Sequence, residues 1–247
     1  MKIKRIIRCI LAVMLIASLY GCANLAQLIS PTPTPTAMPT ATPVPTPEPT
    51  PTPSPSPAPD INSFRVGFGD ETGYISRYFN FGFRIPYGWY YDDRDAIDEV
   101  NKIQANKSDK EAYFQEYIDR LKSGEVLYDY FAYNIETSEM LFVYLQDYSS
   151  FGEDILSEKE VLDYFADKAF DLDADGIAEA THLQSDTFEL NNIKHGVYFY
   201  QMPYKGEINQ CAILVIPQST TYAIIIVDCL DQQTAKDIVY SIYPLFD

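Results

Sequence analysis

Apolar and polar positions alternate, change period and alternate again along the chain from residue 74 onward. Tyr74 to Ile85 alternates and is aromatic, with Gly73 and Gly82 as breaks, and this predicts two short strands. Pro86-Tyr87-Gly88-Trp89 follows as a turn, because proline presets φ and glycine allows a positive one. Asp95 to Ala105 reads as a helix. Asp109 to Ser123 reads as a second, with Tyr113, Tyr117 and Leu121 on one face and Gly124 as its stop. Val126 to Ile135 and Met140 to Tyr148 are strand-like, and the polar run Glu136 to Glu139 joins them as a hairpin. Ser157-Glu158-Lys159-Glu160 is a capping box, in which the hydroxyl caps a free amide and the Glu reaches back. The helix behind it carries Val161, Leu162 and Phe165. Ala180 to Leu190, Val197 to Pro203, Gln210 to Pro217 and Tyr222 to Cys229 read as four strands, and Asp231 caps a last helix to about Tyr243.

The order ββ, αα, ββ, α, ββββ, α joins consecutive strands by short turns, which antiparallel pairing allows and parallel pairing does not. The expected class is α+β: a mostly antiparallel sheet covered by helices. Trp89, the only tryptophan, is a core anchor in this reading.

The first residues have a different pattern. Lys2, Lys4, Arg5 and Arg8 precede a short apolar run from Ile10 to Leu19. A membrane-spanning helix needs ~20 apolar residues, and this run is too short for one. It fits an export signal. Leu19-Tyr20-Gly21-Cys22 then resembles the lipobox of bacterial lipoproteins, with Tyr20 where a small residue is usual. That resemblance implies removal of residues 1–21 and acylation of Cys22. Stable attachment to a membrane takes more than one acyl chain, and proteins of this kind carry at least two on the cysteine.

Residues 22–59 form a linker, and from Pro31 to Pro59 it is almost entirely Pro, Thr, Ser and Ala, with Glu48 its only charge. Proline removes a donor and locks φ, so polyproline II is the conformation left. At ~3.1 Å per residue such a stretch reaches ~90 Å, a spacer able to carry a domain through a cell wall.

The remainder, residues 60–247, is one domain by size. Four of the 18 basic and one of the 35 acidic residues precede Asp60, leaving 14 against 34, a net charge of −20. Nucleic acid and anionic lipid headgroups repel such a domain, so nucleic acid is excluded as a partner; cations and basic proteins suit it. The expected partners are the membrane, through the lipid on Cys22, and a protein or cell-wall component.

Tyr78-Phe79-Asn80-Phe81-Gly82-Phe83-Arg84-Ile85-Pro86-Tyr87-Gly88-Trp89 is similar to the opening of PsbP-like domains, which have an aromatic strand, a Phe-x-x-Pro step and a Gly-Trp turn. Similar domains occur in lipoproteins of Firmicutes. The resemblance implies an α/β/α sandwich, with helices on both sides of an antiparallel sheet. It implies little chemistry, since such domains are mostly accessory or assembly modules, and it transfers no binding residue.

Asp171-x-Asp173-x-Asp175-Gly176 matches the first half of a calcium loop, with Glu179 at the ninth position. The twelfth position, where a bidentate Glu belongs, holds His182. Calcium is therefore the one candidate cofactor, set against an ordinary acidic turn. Cys211 and Cys229 are the only cysteines after residue 59. With a three-residue loop between Gln218 and Tyr222 they would face each other, and an exported protein permits the disulfide; a one-residue slip breaks the pairing. Tyr128, Tyr130, Tyr198 and Tyr200, at alternate positions, would form a stripe able to stack on sugars or peptides if exposed together, set against the commoner place of such residues beneath covering helices with their hydroxyls at the rim. Catalytic motifs are missing: there is no G-x-S-x-G, no H-E-x-x-H and no phosphate loop, and His182 and His195 lack a nucleophile nearby in sequence. The reading is a non-enzymatic binding or assembly module on the outer face of a bacterial membrane. A calcium-dependent form of it and an enzyme of unrecognised type are the alternatives.

Overall fold

The computed structural model describes residues 60–149, 156–170, 180–204 and 207–245, without the side chains of 167–170 and 204. They belong to one compact unit, Ala58–Asp247. Its strands are β1 (Phe68–Asp70), β2 (Gly73–Ser76), β3 (Phe81–Arg84), β4 (Tyr90–Tyr91), β5 (Leu127–Tyr133), β6 (Met140–Asp147), β7 (Thr181–Leu190), β8 (Ile193–Tyr204), β9 (Glu207–Gln218), β10 (Thr221–Cys229) and β11 (Tyr243–Pro244). Its helices are α1 (Arg94–Asn101), α2 (Lys110–Lys122), α3 (Glu158–Phe170) and α4 (Gln232–Tyr240). None is long and apolar enough to cross a membrane.

The strands form two sheets. The large one runs β4-β5-β6-β10-β9-β8-β7 and the small one β1-β2-β3-β11, with antiparallel pairing throughout. The class is α+β, as the pattern predicts. Sequence alone merges the two sheets into one, because β1, β4 and β11 are too short to carry a period.

The helices start where short side chains can accept their free amides. Asp93 accepts from Ala96 N–H, Asp109 from Ala112 N–H and Asp231 from Thr234 N–H. The capping box at α3 is formed in both directions: Ser157 Oγ accepts from Glu160 N–H at 3.3 Å, and Glu160 Oε2 accepts from Ser157 N–H at 2.6 Å. The first helix is shorter than the pattern suggests, because Lys102 turns left-handed (φ 59°) and ends it.

Around its central strands the large sheet buries both faces. On the inner face Leu141, Val143, Leu214, Ile225 and Val227 pack with α2, α4, the small-sheet aromatics Tyr74, Phe81 and Phe83, and Trp89 from the turn after β3. On the outer face Ile213, Val215, Tyr222 and Ile224 pack with Val161 and Leu162 of α3. Gly196 lets α3 approach, since a Cβ there would lie 3.1 Å from Leu162.

Candidate functional site

Three groups of buried polar side chains stand out, and the elements around each explain them. In the first, Asp129 sits at a bulge in β5, where the register with β6 shifts between Tyr128 and Tyr130. It is 1% exposed. Its oxygens accept from Gly67 N–H at 2.9 and 3.1 Å, from Tyr74 OH at 2.5 Å and from Arg94 at 2.9 Å. Arg94 also donates to the carbonyls of Gly67 and Asp129, both at 2.8 Å. This knot ties β2, β5, α1 and the chain before β1. Nearby, Asp98 accepts from Tyr113 at 2.9 Å, Tyr117 at 2.5 Å and Lys107 at 2.9 Å, which joins α1 to α2.

The second group lies on the outer face. Asp228, in the apolar run of β10, accepts from Asn209 Nδ2 at 2.7 Å, and the Cys211 thiol lies 3.6 Å away. Burial pushes the Asp228 carboxyl up to about 6, although the hydrogen bonds from Asn209 and Cys211 act the other way. Burial, and then the charge of Asp228, push the Cys211 thiol well above its ordinary range. A thiol so placed keeps its proton and is no nucleophile. What this group can do is take up a proton near neutrality.

The third is His195, whose Nδ1 lies 2.8 Å from Glu158 Oε2 while its ring stacks on Phe188. The other oxygen of Glu158 accepts from Gly196 N–H at 2.7 Å. The pair fastens the start of α3 to β8. His182 is exposed, with a left-handed backbone (φ 57°), and touches Thr181.

The cysteine pairing expected from a three-residue loop is corrected by the register. The β9–β10 turn has two residues, Gln218 faces Thr221, and Cys211 therefore faces Asp228. Cys211 packs on the outer face and Cys229 on the inner, and both are free and buried. The tyrosine stripe is corrected by the bulge. Tyr130 turns into the inner core, whereas Tyr128, Tyr198 and Tyr200 stay on the outer face. There Tyr128 packs tilted against Tyr144, and Tyr90, Tyr133, Phe131, Phe142 and Tyr144 form a continuous column of stacked rings.

Cys22 and the loop residues Asp171, Asp173, Asp175 and Glu179 lie outside the described residues. Among the described ones no cluster of three or more His, Cys, Asp or Glu is placed to hold a metal. An open groove of ≈ 270 Å³ runs between α4 and the end of β3, lined by Arg84, Ile85, Pro86, Thr234, Asp237, Ile238 and Ser241. Sequence reasoning missed Asp228, yet it was visible as a lone carboxylate inside Tyr222 to Cys229. The Arg94–Asp129 pair left no signal, since nothing in the sequence brings the two together.

The chain matches no protein-family model and no curated protein. Among solved structures it is similar to the solution structure of cyanobacterial PsbP (CyanoP) from Synechocystis, at 12% identity and a TM-score of 0.44, over 71% of this chain and 94% of that one. It is also similar to the crystal structure of LpqN, involved in cell envelope biogenesis of Mycobacterium tuberculosis, at 9% identity and a TM-score of 0.34, over 66% of this chain and 82% of that one.

Proposed function

We propose that the chain is an exported bacterial lipoprotein, held on the outer side of the cell membrane through Cys22, whose α+β domain is a non-enzymatic binding or assembly module at the end of a Pro/Thr tether. The observation that carries the address is Leu19-Tyr20-Gly21-Cys22 closing a short apolar run behind four basic residues. What supports the binding reading is the use to which the buried polar groups are put. Asp98 ties α1 to α2, Asp129 ties α1 to β2 and β5, Glu158 and His195 fasten α3, and Cys211 stays protonated. A concave site with converging reactive groups would have argued for catalysis; the groove beside α4 is open, and its lining holds a single carboxylate, Asp237, with no histidine or cysteine.

The test is metabolic labelling of the full chain with an alkyne analogue of palmitate. Label is expected on the wild type, with the chain in the membrane fraction, and both are expected to be lost in Cys22→Ser. Label that persists in Cys22→Ser, or a wild-type chain without label, would sink the anchored reading.

A further inference from the structure

The edges of the two sheets are built differently. The large sheet ends at β4 with two residues, Tyr90–Tyr91, and the small sheet ends at the three-residue β1 and the two-residue β11. Short edges give a passing strand little to pair with. The other edge of the large sheet is β7, ten residues long, and Thr181 to Thr187 are all exposed among the described residues. It carries neither proline nor lysine, two residues that commonly blunt an edge.

The register says which groups face outward. Asn191 and Asn192 form the turn to β8, both with positive φ (53° and 60°), and close the pair Leu190–Ile193. Bonding alternates along an antiparallel pair, so the even-numbered residues of β7 bond to β8. Ser185, Thr187 and Glu189 then aim N–H and C=O at solvent. Gly196, opposite Thr187, agrees with this, since its N–H turns away from β7 to Glu158. In the single chain Thr187 N–H is covered by its neighbour Asp186 at 2.7 Å, and Asp186 is held in turn by Tyr240 OH at 2.5 Å.

We propose that β7 is a dimerisation edge, on which a second copy of this chain lays its own β7 antiparallel, with Thr187 facing Thr187 across a two-fold axis. Thr187 is the midpoint of Gln184 to Leu190, the part of β7 that pairs regularly with β8. In that register all three outward residues are used, Ser185 facing Glu189 and Thr187 itself. Asp186 faces Phe188, so no like charges oppose each other. Sliding by one pair in one direction sets Asp186 against Asp186, which is unfavourable. Sliding the other way leaves Ser185 beyond the strand. Glu189 also stands across from Lys194 of its own β8, which offsets its charge. Two copies complete each other's edge, so the assembly closes at two. The chain's net charge of −17 opposes the encounter, and salt screens that repulsion. Association therefore rises with salt, whereas a basic partner strand would be released by it. This proposal deepens the binding reading by giving it a surface; it rests on β7, and the labelling of Cys22 does not bear on it.

The experiment uses the purified full chain in detergent with Thr187→Cys and a short bismaleimide, read as a dimer band on a denaturing gel. A band several-fold above the wild-type background is expected, increasing with salt, while Ile135→Cys, exposed on the β5–β6 loop, stays at background. Adding Ser185→Pro removes one outward N–H without touching the bonds to β8. It is expected to return the band to background with the thermal midpoint retained. Thr187→Cys at the wild-type level, a band that ignores Ser185→Pro in folded protein, or a band that falls with salt would each overturn the proposal.

Discussion

Asp228 is the residue whose environment departs most from its type. Its folded-state carboxyl titrates at about 6 against an ordinary 3.8, so the folded state holds a proton that the unfolded chain has released. Stability from this group is full below pH ~4 and is lost as pH rises through ~6. Asp228→Asn removes the ionisation while keeping the shape. Its stability relative to wild type is expected to grow by ~2 kcal/mol between pH 4 and pH 7.5, measured by thermal unfolding at the two values. An unchanged difference would mean that the carboxylate is solvated. The cysteines give a second prediction at this scale. Because Cys211 and Cys229 face opposite sides of the sheet, alkylation of denatured, unreduced protein is expected to modify both, as read by peptide mass mapping. A disulfide-linked peptide pair would contradict the register.

At the scale of elements, capping and the polar knot decide how α3 and α1 are held. Ser157→Ala removes the acceptor for Glu160 N–H and is expected to cost ~1 kcal/mol in chemical denaturation. Asp129→Asn leaves Arg94 facing a neutral amide at a nearly buried site, and a loss of ~3 kcal/mol is expected by the same measurement. A loss below about 1 kcal/mol would mean that water reaches the pair. What the sequence made legible at this scale was period and cap. The Asp109, Ser157 and Asp231 starts and the order of the long strands are where the pattern puts them. Register was not legible. A two-residue turn in place of a three-residue one moved Cys211 from Cys229 to Asp228, and a single extra residue at the Tyr128–Tyr130 bulge turned one tyrosine inward. Alternation repeats every two residues and carries no mark of where a strand slips by one.

For the whole molecule, the α+β class followed from strand order and short turns, because both are local. The closing of the second sheet did not, because β1 and β11 are too short to carry a period and β11 is held by contacts distant in sequence. β11 is two residues long and exists only because Tyr243 and Pro244 meet Gly82 and Phe81. Ser241 Oγ accepts from Arg84 N–H at 3.1 Å across 157 residues of chain. Residues 241–244 are thus stitched to residues 81–84. Contacts of such separation form late. For a chain exported as proposed, threaded through a membrane pore from its N-terminus, the small sheet stays open until Tyr243 and Pro244 have emerged. Under that reading residues 241–244 work as a latch, closing the small sheet only once they have crossed.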